Sequence, residues 1–344
     1  MANPILDFLT NGNFKKEILT NALLLKDKDQ ESLHKLARDK RREFFPSDEV
    51  EVRSVIEISN MCQQSCNFCN INLYSKKNKY MIKHEELIGI VRHLYQDKER
   101  RVFLIQSGEL AAESYIDFVS KAISDIKRNL NDLIIILCLG NLSYNQYKQL
   151  HDSGADRYIL KFETSNPLLY NQIKPSDTLT ERLKCIKMLT ELGFEVGSGN
   201  MIGLPGQTLD DIVNDLLFLG TLKLTMASTS VFFPGEESNY RNESAGDPEM
   251  ALNYMALLRI MYPNMLIPTT SCLEKVKKDG QYLGLMAGAN TVTIHDGTPE
   301  DSKKHFPIYS INRFTPDEKH LKDIVRKADL KFSSSHLKPE ATKG

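Results

Sequence analysis

The chain has 344 residues, with 44 Lys or Arg against 45 Asp or Glu, so its formal net charge is −1. Hydrophobic residues make up 41% and charged residues 26%, which is typical of a globular protein and excludes a disordered or collagen-like chain. No apolar run approaches the ~20 residues of a membrane span, and the near-zero charge gives no reason to expect a nucleic acid or a membrane as partner.

Residues 1–50 are predicted to form a helical N-terminal extension, because apolar residues such as Ile18, Ala22 and Leu25 recur every three or four positions. From residue 51, short runs rich in Val and Ile alternate with helical patterns. The predicted strands are 52–59, 101–107, 132–140, 156–163, 194–203, 225–233, 265–270 and 290–295. The predicted helices between them are 82–96, 113–129, 143–153, 178–193, 208–221, 247–262 and 280–287.

This alternation predicts an α/β fold with parallel strands joined by crossover helices. Eight strand–helix units in about 250 residues predict a (β/α)8 TIM-type barrel over residues 51–295, with a doubly wound sheet as the alternative. Residues 296–344 lose the pattern. There we expect one helix near 316–328 and a frayed tail from residue 333.

The six cysteines are too few for a disulfide scaffold in a chain of this length. The first residues lack a basic segment followed by an apolar one, so we expect no secretory signal and a reducing, cytoplasmic location. Three of the six cysteines nevertheless lie within eight residues. That crowding indicates a specific role.

Cys62, Cys66 and Cys69 follow the first predicted strand with the spacing C-x3-C-x2-C. Barrel enzymes build their active sites at this end of their strands. Three thiolates on a 4Fe-4S cluster leave one iron open to a small-molecule ligand. One alternative is a structural zinc site, which needs a remote fourth ligand because no histidine lies between residues 35 and 83. The other alternative is that the three cysteines lie close together by chance.

With an aromatic residue, Phe68, before its last cysteine, the triplet resembles the motif of the radical S-adenosylmethionine (SAM) enzymes. The resemblance implies that Cys62, Cys66 and Cys69 are the metal ligands and catalytic residues of a 4Fe-4S cluster whose open iron binds SAM. It implies one-electron cleavage of SAM to a 5′-deoxyadenosyl radical, which attacks a small-molecule substrate inside the barrel. An electron donor such as ferredoxin or flavodoxin is the implied partner.

Two other strand ends contain candidate SAM-binding residues. Strand two ends in Ser107, Gly108 and Glu109, which resemble the family element that holds the methionine ammonium, although an ordinary turn is the alternative. Glu163, after strand four, is a candidate for the ribose hydroxyls. Arg182, early in the next helix, is a candidate for the methionine carboxylate, with a solvated helix face as the alternative.

Strand five contains Gly199, Met201 and Gly203, which resemble the family element beside the adenine. Glycines within a strand also allow another group to approach the backbone closely. Val292, on strand eight, and Phe68 complete the candidate SAM-binding residues, and Val292 has a core position as its alternative. All of these residues follow the triplet in the order that one binding site at the strand ends requires.

Longer stretches, such as IEISNMCQQSCNFC and SGNMIGLPGQTLDDIVNDLLFL, resemble the group that contains HydE, PylB and biotin synthase. The likeness to HydE is dense over residues 50–220, which implies a HydE-like reaction. A PylB-like rearrangement of a carbon skeleton, or other radical chemistry on a small metabolite, is the first alternative. A non-enzymatic iron–sulfur or zinc protein is the second.

Biotin synthase needs cysteine ligands for a second cluster inside the barrel. Here the matching strand-five position is Gly197, strand two ends in Ser107, and Cys138 is offset, so sulfur insertion by that route is not expected. Cys138, Cys185 and Cys272 are predicted to be small core residues, with Cys272 facing the cavity as the alternative. Candidate hydrogen-bonding residues for a polar substrate lie on late strands: Ser228, Thr229, Ser230, Thr269 and Thr270.

Overall fold

The computed structural model describes residues 3–306 and 316–339, and parallel strands form the centre of this part of the chain. Their order is β6-β5-β4-β3-β2-β1-β8-β7, so neighbours in sequence are neighbours in space. The strands are β1 (Glu49–Ser59), β2 (Val102–Ser107), β3 (Ile134–Cys138), β4 (Arg157–Ile159), β5 (Glu195–Ile202), β6 (Met226–Val231), β7 (Pro268–Thr269) and β8 (Thr291–Ile294).

The two edges of this sheet meet and almost close it into a barrel. Met226 in β6 forms a parallel bridge with Leu266, just before β7, and the Ala227 N–H donates to the Leu266 carbonyl over 3.1 Å. A doubly wound sheet would instead reverse its strand order at a switch point. The predicted (β/α)8 TIM-type barrel is therefore confirmed.

Helices lie between the strands and cover the outside of the barrel. They begin where the sequence offers a cap: Ser143 and Gln146 form a reciprocal capping box at the start of α6. The helices are α1 (Pro4–Thr10), α2 (Lys16–Leu23), α3 (Asp27–Phe44), α4 (His84–Asp97), α5 (Glu113–Asn129), α6 (Tyr144–Asp152), α7 (Pro167–Ile173), α8 (Leu179–Glu191), α9 (Leu209–Leu219), α10 (Pro248–Met261), α11 (Ser271–Val276), α12 (Gly280–Met286), α13 (Glu300–Lys303) and α14 (Glu318–Lys327).

The predicted helix boundaries agree with the structure to within two residues, and α5 agrees at both ends. α7, α11 and α13 were not predicted. They have seven, six and four residues, too few to show a repeated apolar stripe. α7 and α11 lie at the end of the barrel that holds the cysteine triplet, so these two short helices belong to the loops that shape the candidate site.

The N-terminal helices α1–α3 pack beside α10 on one side of the barrel. Asn253 in α10 donates to the carbonyls of Leu23 and Leu25, over 3.0 and 2.9 Å. Its carbonyl oxygen lies 3.2 Å from Nε2 of His34 in α3. One buried amide therefore joins the N-terminal helices to the barrel.

The floor of the barrel is a buried ion cluster. Glu51, which is fully buried, accepts from Arg53 Nε over 2.8 Å and from Arg157 Nη1 over 3.0 Å. Burial alone would raise the pKa of Glu51, but the two guanidinium groups outweigh it and hold this pKa below its usual range. Glu51 is therefore ionised and closes the lower end of the barrel.

The chain beyond α14 contributes to the same floor. Residues 331 and 332 form a short strand, β9, paired in parallel with Glu49 and Val50 of β1. The N–H of Leu337 donates to the Glu51 carboxylate over 3.0 Å, and the Leu337 side chain is buried. We expected this segment to be a frayed tail. In the described residues it instead packs on the barrel, because Leu337 supplies both an apolar side chain and a donor for a buried charge.

None of the described helices combines the length and apolarity needed to cross a membrane.

Candidate active site

The three clustered cysteines lie on the loop that leaves the end of β1. This loop is anchored to the end of β2, where the Gln63 N–H donates to the Glu109 carbonyl over 2.8 Å. A Cβ atom at Gly108 would lie 2.2 Å from the Met61 carbonyl oxygen and 2.6 Å from the Cys62 Cβ. Glycine at 108 therefore allows the strand end to touch the cysteine loop.

The outer side of the loop is held by α7 and by the chain that follows the cysteines. The Asn67 N–H donates to the Ile173 carbonyl, the last residue of α7, over 2.9 Å. Asn72 Nδ2 donates to the Cys66 carbonyl over 3.0 Å, and the Leu73 N–H donates to the Gln64 carbonyl over 2.7 Å. The backbone of the cysteine loop is therefore fixed on both sides by hydrogen bonds.

Burial dominates the proton affinity of the three thiols. It raises the pKa of Cys66 to about 12 and raises the pKa values of Cys62 and Cys69 as well, while the nearby ammonium of Lys174 acts in the opposite direction. Thiols of this kind lose their protons when they bind a metal. The set consists of soft sulfur donors on one anchored loop, and this donor chemistry fits an iron–sulfur cluster.

Within residues 3–306 and 316–339, no group of three or more His, Cys, Asp or Glu is arranged around a single metal ion. In a 4Fe-4S cluster each thiolate binds a different iron, so a cluster does not require three side chains around a single ion.

Beside the cysteine loop, a buried network of acids and cations surrounds Glu109. Its Oε1 accepts from Arg182 over 2.7 Å and from Lys174 over 2.8 Å. Its Oε2 accepts from the Asn141 N–H over 3.2 Å. Asp177 accepts from the same Arg182 nitrogen over 3.0 Å and lies 3.6 Å from the Lys174 ammonium.

Burial and charge oppose each other in this network. Burial would raise the pKa of Glu109, but Arg182 and Lys174 hold it well below its usual range. Burial would lower the pKa values of the two cations, and their acidic partners raise both of them instead. All three groups are therefore charged near neutral pH. Glu109 and Arg182 were predicted as site residues, and Lys174 was not.

Glu163 lies just after β4 with its backbone in the left-handed region, at φ 62°. A residue with a Cβ rarely adopts this conformation. Hydrogen bonds to β5 impose it, since the Glu163 N–H donates to the Gly199 carbonyl over 3.0 Å and its carbonyl accepts from Met201 over 2.9 Å. The carboxylate faces the barrel interior 3.0 Å from the Lys161 ammonium.

The loop after Glu163 rests on Asp215, a buried residue of α9. Asp215 accepts from Ser165 Oγ over 2.6 Å and from Asn200 Nδ2 over 3.2 Å. Burial raises the pKa of Asp215 from its ordinary 3.8 to about 6, even though these donors oppose the shift. The folded protein therefore holds this proton more tightly than the unfolded chain does.

Because of Asp215, the free energy of unfolding is expected to fall as pH rises from about 4 through 6, by about 3 kcal/mol in total. The Asp215→Asn variant should lose this part of the pH dependence. Urea unfolding of both proteins at pH 4.5 and 7.5 measures the difference. Equal pH dependence in the two proteins would show that Asp215 is not responsible.

Close backbone contacts explain why residues 199 and 203, in and just after β5, are glycines. A Cβ at Gly199 would lie 1.8 Å from the Ser228 carbonyl oxygen of β6, and one at Gly203 would lie 2.2 Å from the Gly246 Cα. Gly203 also has a φ of +87°. These positions require glycine for the backbone alone, and they bring the chain close at the rim where the site opens.

Met201 and Phe68 belong to one apolar cluster at this rim, together with Phe232. Of these three residues, Phe68 lies on the cysteine loop. Phe68 and Met201 both face the barrel cavity. At the end of β2, Ser107 Oγ donates to the Gly108 carbonyl over 2.7 Å. The structure thus brings Phe68 and Met201 together, next to the cysteines.

Val292 does not face the cavity. It is completely buried in the main core between the sheet and the helices, while Thr293 in the same strand and His295 just after it line the cavity. Successive side chains of a strand point to opposite faces, so Val292 lies on the far side of β8. The expectation that it contacts the adenine is therefore corrected.

A cavity of about 360 Å³ runs through the barrel interior, with Phe68 of the cysteine loop in its wall. Ser228, Ser230 and Thr270 line it, whereas Thr229 and Thr269 do not, for the same reason of strand alternation. Cys138 and Cys272 also line this cavity. For Cys272 the alternative position, facing the cavity, is therefore confirmed, and Cys138 packs against the inner cluster of the barrel instead of the main core. Cys185 does lie in the main core.

The structure has the features of a barrel enzyme with a metal centre at the carboxyl ends of its strands. Three cysteines follow the first strand of the parallel barrel, a charged network lies beside them, and a cavity lies below.

Comparison with known proteins specifies the family. Residues 56–219 match the Radical SAM superfamily. The chain is 35% identical to the FeFe hydrogenase maturase subunit HydE of Thermotoga maritima over 309 residues, which are 89% of this chain and 86% of that protein. It is 27% identical to a biotin synthase of Clostridium botulinum over 310 residues, 84% of this chain and 95% of that protein. The solved structure of methylornithine synthase (PylB) superposes with a TM-score of 0.82 at 23% identity, covering 96% of this chain and 97% of that one.

The chain therefore belongs to the radical SAM superfamily and is a HydE-like enzyme within it. Members of this family use a 4Fe-4S cluster to cleave SAM, act on small substrates and need a reductant. The non-enzymatic alternatives for the cysteine triplet are thereby excluded.

Proposed function

We propose that this chain performs a HydE-like radical reaction, as a maturase of an FeFe hydrogenase, on a small substrate bound in the barrel cavity. The observation that carries the proposal is that the cysteine loop, the Glu109 network and the cavity meet at one end of the barrel. The 35% identity to HydE over 89% of the chain supports the choice of reaction.

In this proposal Cys62, Cys66 and Cys69 hold the cluster as thiolates. The bound cluster and SAM supply a 5′-deoxyadenosyl radical. Arg182 and Lys174 are already fixed by Glu109 and Asp177, so they present positive charge beside the loop without any rearrangement. We assign this pair to the carboxylate of SAM, and Glu109 to its ammonium.

We assign the remaining SAM-binding roles from the position of each residue around the site. Glu163 faces the interior with its carboxylate 3.0 Å from the Lys161 ammonium, and a carboxylate fixed there suits a ribose hydroxyl. Phe68 and Met201 supply an apolar wall for the adenine, next to the backbone of Gly199 and Gly203. Ser107 and Gly108 keep the end of β2 against the cysteine loop.

The cavity has the lining that a radical reaction needs. Its walls are largely apolar, and a few polar groups are fixed on strands, among them Ser228, Ser230 and Lys161. Lys161 donates to Ser230 over 2.8 Å, so both are held in place before a substrate arrives. Fixed polar groups in an enclosed site orient a small molecule and exclude water.

The test is anaerobic reconstitution with iron and sulfide, followed by reduction with dithionite in the presence of SAM. We expect 5′-deoxyadenosine to form, and we expect deuterium from the true substrate to appear in it. Screening deuterated candidate substrates identifies the molecule. A reconstituted protein that binds a cluster and forms no 5′-deoxyadenosine would contradict the proposal.

We also propose that the electron donor is a small acidic protein such as ferredoxin or flavodoxin, and that the enzyme works in the cytoplasm. Residues 73–83, here called the lysine segment, run along the outside of the cysteine loop. They contain four lysines and no acid. Leu73 and Tyr74, at the start of the segment, are 50% and 71% exposed. Exposed apolar side chains among lysines fit an acidic protein that docks close to the cluster.

Reversing two charges of the lysine segment, Lys76→Glu with Lys79→Glu, is expected to raise the KM for reduced flavodoxin at least ~10-fold. It should also weaken the salt dependence of the rate, because charged residues steer the encounter. SAM cleavage driven by dithionite should not change. The measurement is 5′-deoxyadenosine formation against flavodoxin concentration at two ionic strengths.

A matched control is Lys121→Glu with Lys187→Glu, two exposed lysines on α5 and α8. This control should leave the KM for flavodoxin near the wild-type value. Equal effects of the two double variants would show that the partner does not dock on the lysine segment.

A further inference from the structure

One group of side chains inside the barrel has no part in the roles above. His295 follows β8, is more than nine-tenths buried and lines the cavity. Its Nδ1 lies 3.1 Å from Oε1 of Glu57, and its Nε2 lies 3.3 Å from Oγ of Ser271. An acid, an imidazole and a hydroxyl are therefore in hydrogen-bonded sequence at the wall of the cavity.

The fold fixes each member of this group. β1 and β8 are parallel neighbours with Ser54 opposite Ile294, so the interior face of β1 and His295 meet near the upper end of the barrel. Gln106 Nε2 donates to the same Oε1 of Glu57 over 3.2 Å. Ser271 is the first residue of α11 and also faces the cavity. The imidazole is therefore held between two elements of the scaffold.

The charged groups around the imidazole come from several strands. Glu57 contacts it directly from β1, and Lys161 and Glu163 face the same cavity after β4. Arg53 lies lower in the cavity, bound to Glu51. Glu57 is therefore the acid that contacts the ring directly, at Nδ1.

Histidine with one ring nitrogen bound to a carboxylate and the other facing a site is the usual arrangement of a general acid or base. Glu57 fixes the Nδ1 proton, which leaves the Nε2 lone pair directed at Ser271 and the cavity. When the ring takes a proton, Glu57 stabilises the positive charge that forms. A buried histidine with a purely structural role gains nothing from facing a cavity.

We propose that His295 is a proton-transfer residue for the substrate in the cavity, positioned by Glu57 and Ser271. The substrate class is a small molecule with an amine, thiol or hydroxyl group. Its X–H bond breaks, the electron pair stays on X, and the proton forms an N–H bond at Nε2 of His295. This inference rests on the proposed function, because it requires a substrate in the barrel.

The first test measures the reactivity of His295 in the anaerobic reconstituted enzyme, with diethyl pyrocarbonate as the probe. This reagent modifies neutral imidazole, and peptide mass spectrometry resolves each histidine. We expect the modification rate of His295, relative to that of His93, to differ between wild type and Glu57→Gln, because Glu57 holds the ring at Nδ1. Exposed His93, paired with Asp97, serves as the internal reference.

A relative modification rate of His295 that is the same in wild type and Glu57→Gln would overturn the proposal. That result means that Glu57 does not control the reactivity of the ring.

The second test compares two products in His295→Gln, with His93→Gln as the control. Once the deuterium screen has returned a substrate, we expect the yield of final product per labelled 5′-deoxyadenosine to fall ~10²-fold or more. An unchanged ratio would overturn the role of His295. A wild-type enzyme that forms no labelled 5′-deoxyadenosine would instead contradict the proposed function, so the two failures are distinguishable.

Discussion

Replacing any one of Cys62, Cys66 or Cys69 by alanine is expected to abolish SAM cleavage, with a loss of more than ~100-fold in 5′-deoxyadenosine formation. Changing a group that only hydrogen-bonds to a metal ligand already costs up to ~100-fold, and these residues are the proposed ligands themselves. The measurements are iron and sulfide content, the visible absorption of the reconstituted protein and the rate of 5′-deoxyadenosine release with dithionite.

The matched control is Cys185→Ala, because Cys185 is also a buried cysteine but lies in the main core on α8. It should retain the cluster and SAM cleavage. A loop variant that keeps full iron content and activity would show that its cysteine is not a ligand. Equal losses in Cys185→Ala would show that the effect comes from misfolding.

Replacing Glu109 by glutamine is expected to have the second large effect. Two buried cations, Arg182 and Lys174, would lose the charge they share, and breaking a buried ion pair in this way costs about 3–5 kcal/mol. The midpoint of urea unfolding of the cluster-free protein should fall accordingly. SAM binding to the reconstituted protein should weaken as well, because Arg182 and Lys174 lose one of the two acids that fix them beside the cysteine loop.

Two further variants distinguish the possible causes. Glu181→Gln removes an exposed acid on α8, and it should change the free energy of unfolding by less than ~0.5 kcal/mol. Lys174→Met removes one cation and leaves Glu109 paired with Arg182, so it should destabilise the protein less than Glu109→Gln does. A stability of Glu109→Gln equal to that of the wild type would contradict the charged network.

The barrel could be predicted from the sequence because its signals are local. Each strand is a short apolar run, and each long helix carries a repeated apolar stripe, so the alternation of the two determines the strand order. α7 and α11 were not predicted because they are shorter than the apolar pattern that identifies a helix. β9 was not predicted because its two exposed residues have no strand pattern, and they pair with β1, which is far away in the sequence.

The candidate site was predictable only in part, for a different reason. The cysteine spacing is a local signal, whereas the Glu109 network joins residues from β2, α7 and α8 that only the fold brings together. Lys174 follows directly after α7, and its partner Glu109 lies 65 residues earlier, so no spacing rule reveals the pair. Arg182 and Glu109 were predicted as separate ligands of SAM, and the structure binds them to each other.

Strand alternation is a signal that the sequence analysis did not use. Given that Ser228 faces the cavity, alternation places Thr229 on the other face and Ser230 back inside, as the structure has them. The same rule applied to β8 separates Val292 from Thr293 and His295. It would have directed attention to His295.

The floor of the barrel has a consequence for the order in which the protein can fold during synthesis. β1 is synthesised before two of its neighbours, β8 and β9, and the Leu337 N–H that binds Glu51 follows it by 286 residues. Domains generally fold as units once their chain is available. The floor around Glu51 is therefore incomplete until residue 337 has been synthesised, and ribosome-bound chains that stop before residue 337 should remain protease-sensitive.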